Sequence, residues 1–354
     1  MSPAAGGPLW TRTLSDGGQE PIEIAREVAD FAAAARSTLD LALYDVRLPS
    51  PVGDVVADAL RAAAARGVAV RIAFNEERRH HVPVPPPPRT EPDLLAALGV
   101  PIKGIPGEPD LMHHKYMVRD GESVWTGSAN WTADSWSREE NVLVTVESAA
   151  VAAAYAHDFA ELWRRGKVEG SGDFDTRAER VGDATVRPWF CPGRGDALAQ
   201  HIATVLGRAR RRARIASPVL TSGPILGTLA EMTADHRVDL AGVLDATQIE
   251  EVYGQWRHNE RSRWKLDLLG AVLGAGGFTG KRSTPYRPGS VHDYMHAKVT
   301  VVDDTVFVGS FNLSHSGELN AENVLEIESA SLAEEMAAFV DSVRALYPPA
   351  PLPT

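Results

Sequence analysis

A pattern of six residue types at nearly fixed spacing occurs twice in this chain, once in each half. The first copy is His113, Lys115, Asp120, Gly127, Ser128 and Asn130, followed by Glu139-Glu140-Asn141; the second is His296, Lys298, Asp303, Gly309, Ser310 and Asn312, followed by Glu322-Asn323. From average residue frequencies, one such match in a given register arises by chance roughly once in 10⁷ to 10⁸. Two copies make coincidence negligible, and the chain must contain two versions of one unit.

The flanking segments repeat as well. Apolar periodicity predicts a helix over 20–36, a strand over 39–44, a helix over 52–65 stopped near Gly67, and a strand over 68–74. After the middle of the chain the order returns: helix 196–212, strand 213–217, helix 224–235, strand 238–244. Strand, helix, strand is the signature of a parallel βαβ unit, so two α/β lobes are expected, each a mixed sheet flanked by helices. The 354 residues suffice for two ordinary domains. The polar, Gly-containing stretch from Gly166 to Asp175 marks the linker, giving an N-terminal lobe over 1–165, a linker over 166–185 and a C-terminal lobe over 186–354.

Spacing gives the motifs physical sense. Residues two apart on a strand share a face, so His113 with Lys115, and His296 with Lys298, point into one pocket. Asp120 and Asp303 fall in the turn after the strand. Val124-Trp125 and Val306-Val308 read as the next strand, after which each Gly-Ser pair permits a tight turn offering hydroxyl, amide and backbone N–H donors. Such donors suit phosphate oxygens.

The paired motifs resemble those of the phospholipase D superfamily, whose HKD signature is duplicated in one chain or supplied by two subunits. The resemblance covers about residues 20–345. It implies that the lobes are related by a pseudo-two-fold axis and that both motifs build one active site, lined by His113, Lys115, Asn130, His296, Lys298 and Asn312, with Ser128 and Ser310 in support. It further implies metal-independent phosphodiester cleavage without a cofactor, in which one imidazole attacks phosphorus and the other protonates the leaving alcohol. Each histidine is then oriented by a carboxylate across the site. Glu322 and Glu140 are the candidates, since Asn312 to Glu322 and Asn130 to Glu140 are each ten steps. Asp120 and Asp303 belong to the signature as well, and fixing loop and lysine geometry suits them better than proton transfer. His113 is taken as nucleophile and His296 as acid, an assignment that near-symmetric motifs leave reversible. His114 faces the other side of the strand and reads as a core or supporting histidine.

Composition narrows the class. With 44% hydrophobic and 23% charged residues, a formal net charge of −11 and no apolar run long enough to span a bilayer, the chain reads as a globular, cytoplasmic protein whose overall charge repels polyanions. Cys191, the single cysteine, reads as a small buried hydrophobe. The arginine run from Arg208 to Arg214 reads as a solvated helix end rather than a phosphate grip. The cluster Trp256, Arg257, His258, Arg261, Arg263, Trp264 and Lys265 reads equally as a pocket cover or as a Trp-anchored surface helix. The Pro-rich stretch 82–88 reads as an extended loop, and Gly-rich 270–281 fails the phosphate-loop pattern at Ala275 and Arg282. His80-His81 and Asp235-His236 lack partners at metal-ligand spacing, so no metal is expected.

The leading expectation is a phosphodiesterase of the phospholipase D type acting on a phospholipid headgroup, by hydrolysis or transfer to an alcohol, without stable membrane insertion and with a monomer sufficient for the site. A nuclease of the same superfamily is the alternative, with DNA or RNA as partner. A non-catalytic scaffold is disfavoured, because both motifs are intact.

Overall fold

In the computed structural model, residues 7–76, 90, 95–287 and 289–352 are described. The Pro-rich stretch 82–88 and His80-His81 lie outside them. The first large sheet has seven strands in the order β1 (Leu9–Leu14), β9 (Asn141–Glu147), β7 (Ser123–Gly127), β6 (Lys115–Arg119), β2 (Thr38–Leu43), β4 (Ala69–Glu76) and β5 (Ile102–Pro106). The second has eight: β10 (Glu179–Val181), β11 (Ala184–Phe190), β17 (Asn323–Glu328), β16 (Thr305–Gly309), β15 (Val299–Val302), β12 (Arg212–Ala216), β13 (Asp239–Asp245) and β14 (Phe278–Lys281). Leaving β10 aside, the sheets match strand for strand. Pairing is parallel across β2–β4–β5 and across β12–β13–β14. It is antiparallel at β2–β6 and β12–β15, and onward to the other edge. The tandem α/β repeat expected from the motifs is therefore present in full topology. Two short strands, β3 (Val46–Arg47) and β8 (Trp131–Thr132), pair beside the first sheet.

Helices follow the same repeat. On the outer face of the first sheet lie α1 (Pro21–Ala33) and α2 (Val52–Ala65), whose Ile24, Val28, Val56 and Leu60 pack on Leu39, Leu41 and Ile72. On the outer face of the second, α5 (Gly195–Gly207) and α6 (Gly223–Asp235) bury Leu198, Ile202, Leu226 and Leu229 against Ala213 and Ile215. The inner faces share one core. There α4 (Ala149–Arg165) presents Val151, Tyr155, Phe159 and Leu162 along one stripe, and α10 (Ala330–Arg344) presents Leu332, Met336, Val340 and Val343. These side chains meet Tyr116 and Val118 of β6 and Val299 and Val301 of β15 in a single cluster drawn from both halves. Ser148 and Ser329 cap the two helices at the same point, each hydroxyl accepting from the N–H three residues on.

Residues 166–185 hold Gly166 as a left-handed cap of α4, buried Val168 and strand β10 at the edge of the second sheet. The helix expected to run to residue 212 ends at Gly207, because Arg212 already opens β12. The Gly-rich stretch 270–281 is the end of α8 (Trp264–Gly274), a turn and β14.

Candidate active site

Each motif histidine sits just before its strand, and its backbone is bound by the opposite lobe. His113 N–H donates to the Ala321 carbonyl at 2.9 Å, and His296 N–H to the Glu140 carbonyl at 3.2 Å. Each imidazole is then tied at Nδ1 by a side chain from across the interface. His113 Nδ1 lies 2.9 Å from Glu322 Oε2 and 2.8 Å from Oε1. His296 Nδ1 lies 3.1 Å from Asn141 Oδ1 and 3.2 Å from Glu139 Oε2. An engaged Nδ1 fixes the ring and leaves Nε2 for chemistry.

The partner of His296 differs from the expected Glu140. After the short helix α3 (Ala133–Ser137), three residues precede Asn141, whereas only two precede Glu322 after α9 (His315–Leu319). Asn141 therefore takes the place that Glu322 holds in the other lobe, and each accepts from the motif serine: Ser128 Oγ donates to Asn141 at 2.7 Å and Ser310 Oγ to Glu322 at 2.5 Å. Extended backbone alternates faces, so Glu139 shares the side of Asn141 while Glu140 turns away. Glu140 instead meets Lys281 Nζ at 3.0 Å and the Tyr347 hydroxyl at 2.5 Å, in a tie between the lobes that is buried at Glu140 and Lys281 and reaches the surface at Asp16. Glu139 accepts from Ser135 Oγ at 2.6 Å and from Asn141 Nδ2 at 3.2 Å.

Lys115 and Lys298 are buried beside the histidines, each Nζ donating to the carbonyl of its own motif histidine at 2.6 Å. Tyr44, the residue after β2, was not singled out from sequence; its ring lies 4.5 Å from that of His113 and 4.7 Å from Lys115 Nζ. The Oδ1 atoms of Asn130 and Asn312 are buried without a hydrogen-bond partner among the described residues. Among the backbone positions that allow this, Gly127 and Gly309 stand out: a Cβ would meet the carbonyl oxygen of Val142 at 2.2 Å or of Asn323 at 2.1 Å.

Burial dominates the electrostatics. It pulls both histidines well below the ordinary imidazole value, and Lys115 and Lys298 push each of them further down. Burial lowers Lys115 to about 7 against the pull of Glu322, Asp45 and Glu139, and lowers Lys298 well below its usual range. The same cause raises Glu139 and Glu322 to about 7. These mutual effects place both imidazoles, both ammoniums and both carboxylates in one pocket.

Asp120 and Asp303 are elsewhere. Each lies at the far end of its strand, roughly 16 Å of extended chain beyond its motif lysine. Asp120 accepts from the N–H groups of Arg36, Ser37 and Thr38 and from Ser37 Oγ, and Asp303 from the N–H groups of Arg210, Arg211 and Arg212. Those bonds lower both carboxyls against a burial effect that would raise them. They tie the turn to the start of the neighbouring strand, and none of these bonds involves a motif lysine.

The remaining candidates resolve plainly. In the arginine run, Arg211 pairs with Asp304 at 2.6 Å, Arg212 with Glu334 at 2.7 Å and Arg214 with Asp239 at 2.5 Å. Trp256 is buried on α7 (Ala246–Arg257), while Trp264 is 54% exposed and Lys265 Nζ donates to the Thr221 carbonyl, the Trp-anchored surface arrangement. Cys191 is buried, and burial pushes its thiol well up. Among the described residues no cluster of three His, Cys, Asp or Glu side chains could hold a metal ion, and no helix is long and apolar enough to cross a membrane.

Two mirrored lobes whose histidines cross to partners in the opposite half define the duplicated-HKD class of phospholipase D-like proteins. The chain belongs to the family described as cardiolipin synthase, PLD-like domain, matched over residues 28–163 and 202–344. It is 31% identical over 130 residues to the mitochondrial cardiolipin hydrolase of Xenopus laevis, covering 36% of this chain and 56% of that protein. It is 28% identical over 133 residues to the mitochondrial cardiolipin hydrolase of Homo sapiens, covering 37% and 48%. The match thus spans about half the length of these curated relatives. The fold is similar to that of phosphatidylserine synthase from Haemophilus influenzae Rd KW20, with a TM-score of 0.65 at 12% identity over 96% of this chain and 88% of that one.

Proposed function

We propose that this chain is a phosphodiesterase that cleaves the headgroup phosphodiester of a phospholipid through a phosphohistidine. The observation that carries this reading is the crossed pairing of His113 with Glu322 and of His296 with Glu139 and Asn141, which fixes two imidazoles by Nδ1 in one pocket with two lysines. In the first step His113 Nε2 forms a bond to phosphorus as the P–O bond to the alcohol breaks, and protonated His296 gives its proton to the departing oxygen. In the second, His296 takes a proton from water, whose oxygen attacks phosphorus and releases His113. An alcohol in place of water would give transfer instead. Lys115, Lys298 and the amides of Asn130 and Asn312 surround the charge that spreads over the non-bridging oxygens.

Unliganded, the pocket holds lowered imidazole and ammonium values, and a bound phosphodiester anion draws the protons back. The acid is thus charged when substrate arrives. A phospholipid is favoured by the family description and by relatives named for cardiolipin hydrolysis. Of the five arginines in the run 208–214, Arg211, Arg212 and Arg214 are paired with carboxylates, which weakens the nucleic-acid reading. The test is turnover by the purified full chain on vesicles of cardiolipin, phosphatidylglycerol and phosphatidylethanolamine and on single- and double-stranded DNA and RNA, with the His113→Ala/His296→Ala protein as blank. Headgroup release with intact nucleic acid is expected; degraded nucleic acid with intact lipid would overturn the substrate class.

A further inference from the structure

The two halves of the site differ behind the histidines. Residues 111–113 and 320–321 bind across the lobes as a short parallel ladder: Ala321 N–H donates to the Leu111 carbonyl at 2.8 Å, His113 N–H to the Ala321 carbonyl at 2.9 Å, and Leu111 N–H to Asn320 Oδ1 at 2.9 Å. Side chains from this ladder go both ways. His113 and Glu322 point into the pocket, while His114 and Asn323 meet on the opposite side, with Asn323 Nδ2 donating to His114 Nδ1 at 3.2 Å.

That second pair belongs to a fully buried network. Thr126 and Tyr155 hydroxyls donate to Asn323 Oδ1 at 2.8 and 3.0 Å, which fixes the amide so that its NH₂ faces His114. His114 Nδ1 must then accept, and Nε2, carrying the proton, stands 3.1 Å from Asp158 Oδ2. Asp158 also accepts from the Tyr116 hydroxyl at 2.8 Å. From Asn323 the network turns to the site: its N–H donates to Ser310 Oγ at 3.0 Å, and Ser310 Oγ donates to Glu322 at 2.5 Å.

The other half has no such backing. Ala297 stands where His114 would be, and Val142, whose N–H donates to Ser128 Oγ at 3.0 Å, stands where Asn323 would be. We propose that His114 is a positioning residue: set beside Asp158, it orients Asn323 and, through Asn323 and Ser310, the Glu322 carboxylate that holds His113. The effect on rate rests on His113 being a reacting group, as proposed above. The network gives a place to Asp158, a buried carboxyl 45 residues after His113 on α4. The hydrogen bonds that converge on the Asn323 side chain from Thr126 and Tyr155, and the one it makes to His114, specify one geometry for its amide.

The test compares His114→Asn with His114→Gln in the full chain. Asparagine puts an amide oxygen where Nδ1 was and still accepts from Asn323; glutamine reaches toward Asp158 and leaves the Asn323 amide with the distant Ser310 hydroxyl, at 3.4 Å, in place of His114. With bis(p-nitrophenyl) phosphate as probe, His114→Gln is expected to lose about tenfold in kcat with KM changed by less than about twofold, and His114→Asn to keep about half the rate or more. In the NMR spectrum the downfield Nδ1–H signal of His113 should shift or broaden in the glutamine variant and persist in the asparagine one. Equal kcat and an unmoved signal in both variants, or losses that simply follow thermal stability, would overturn the proposal. Should the wild type turn over no diester at all, the function proposed above fails, and the His113 signal alone still decides the positioning role.

Discussion

Two imidazoles, two ammoniums and two carboxylates buried together set the charge of the pocket, and protons are what it trades in. Binding an anion such as inorganic phosphate or vanadate near pH 7 is expected to take up protons, because the anion opposes the burial that holds Lys115 at about 7 and the histidines well down. Titration calorimetry in buffers of different ionisation heat reads that uptake; proton release would contradict it. Lys115 also links pH to stability. Between about 7 and its ordinary 10.5 the unfolded chain binds a proton that the folded chain does not, so stability rises with pH across that window. Urea unfolding at pH 7, 8 and 9 should show a steeper rise for the wild type than for Lys115→Met, and equal slopes would remove the lysine from the pocket's electrostatics. Glu139 and Glu140 separate cleanly. Glu139→Gln is expected to lower kcat by about a hundredfold, since His296 loses the carboxylate at its Nδ1. Glu140→Gln should leave kcat within about twofold yet cost about 2–3 kcal/mol in unfolding, because buried Lys281 loses the buried carboxylate that faces it. The motif residues themselves were legible from spacing alone. Counting ten steps from Asn130 picked Glu140 because an added residue after α3 is invisible to a count, although alternation from Asn141 points to Glu139.

At the scale of elements, the motif aspartates show how a signature mixes chemistry with scaffolding. Asp120 and Asp303 adopt left-handed backbone, φ +54° and +52°, at the turn after β6 and β15, and each carboxylate collects the N–H groups at the start of a neighbouring strand. Asp120→Ala loses those acceptors and places alanine in a disfavoured conformation, so it should cost about 2 kcal/mol of stability by denaturant unfolding while the folded enzyme keeps its kcat. A loss of kcat without loss of stability would return Asp120 to the chemistry. The helices and strands themselves were readable: α2 over 52–65 coincides with its apolar periodicity, and the βαβ order of each half is the one observed. What sequence does not carry is long-range pairing. Nothing local in Tyr44 announces that its ring will stand against His113, or in Asn323 that it will reach His114 across the interface, since 209 residues separate that last pair.

As a whole molecule, the chain is two mirrored sheets around one core rather than two beads on a tether. Val299, Val301 and Met336 from one half share a cluster with Tyr116, Tyr155 and Phe159 from the other, and Glu140, Lys281 and Tyr347 bridge the halves beside the pocket. A single calorimetric transition is therefore expected for the full chain, with the calorimetric enthalpy equal to the van't Hoff value; two separable transitions would mean that the lobes fold alone. The measurement that bears most directly on the site is a trapping experiment with His296→Ala and a phosphodiester whose leaving group is p-nitrophenolate, which departs without an acid. One phosphoryl group per chain on His113, stable in base and labile in acid, is expected; no phosphoprotein would contradict the covalent route, and label on any other residue would contradict the place given to His113.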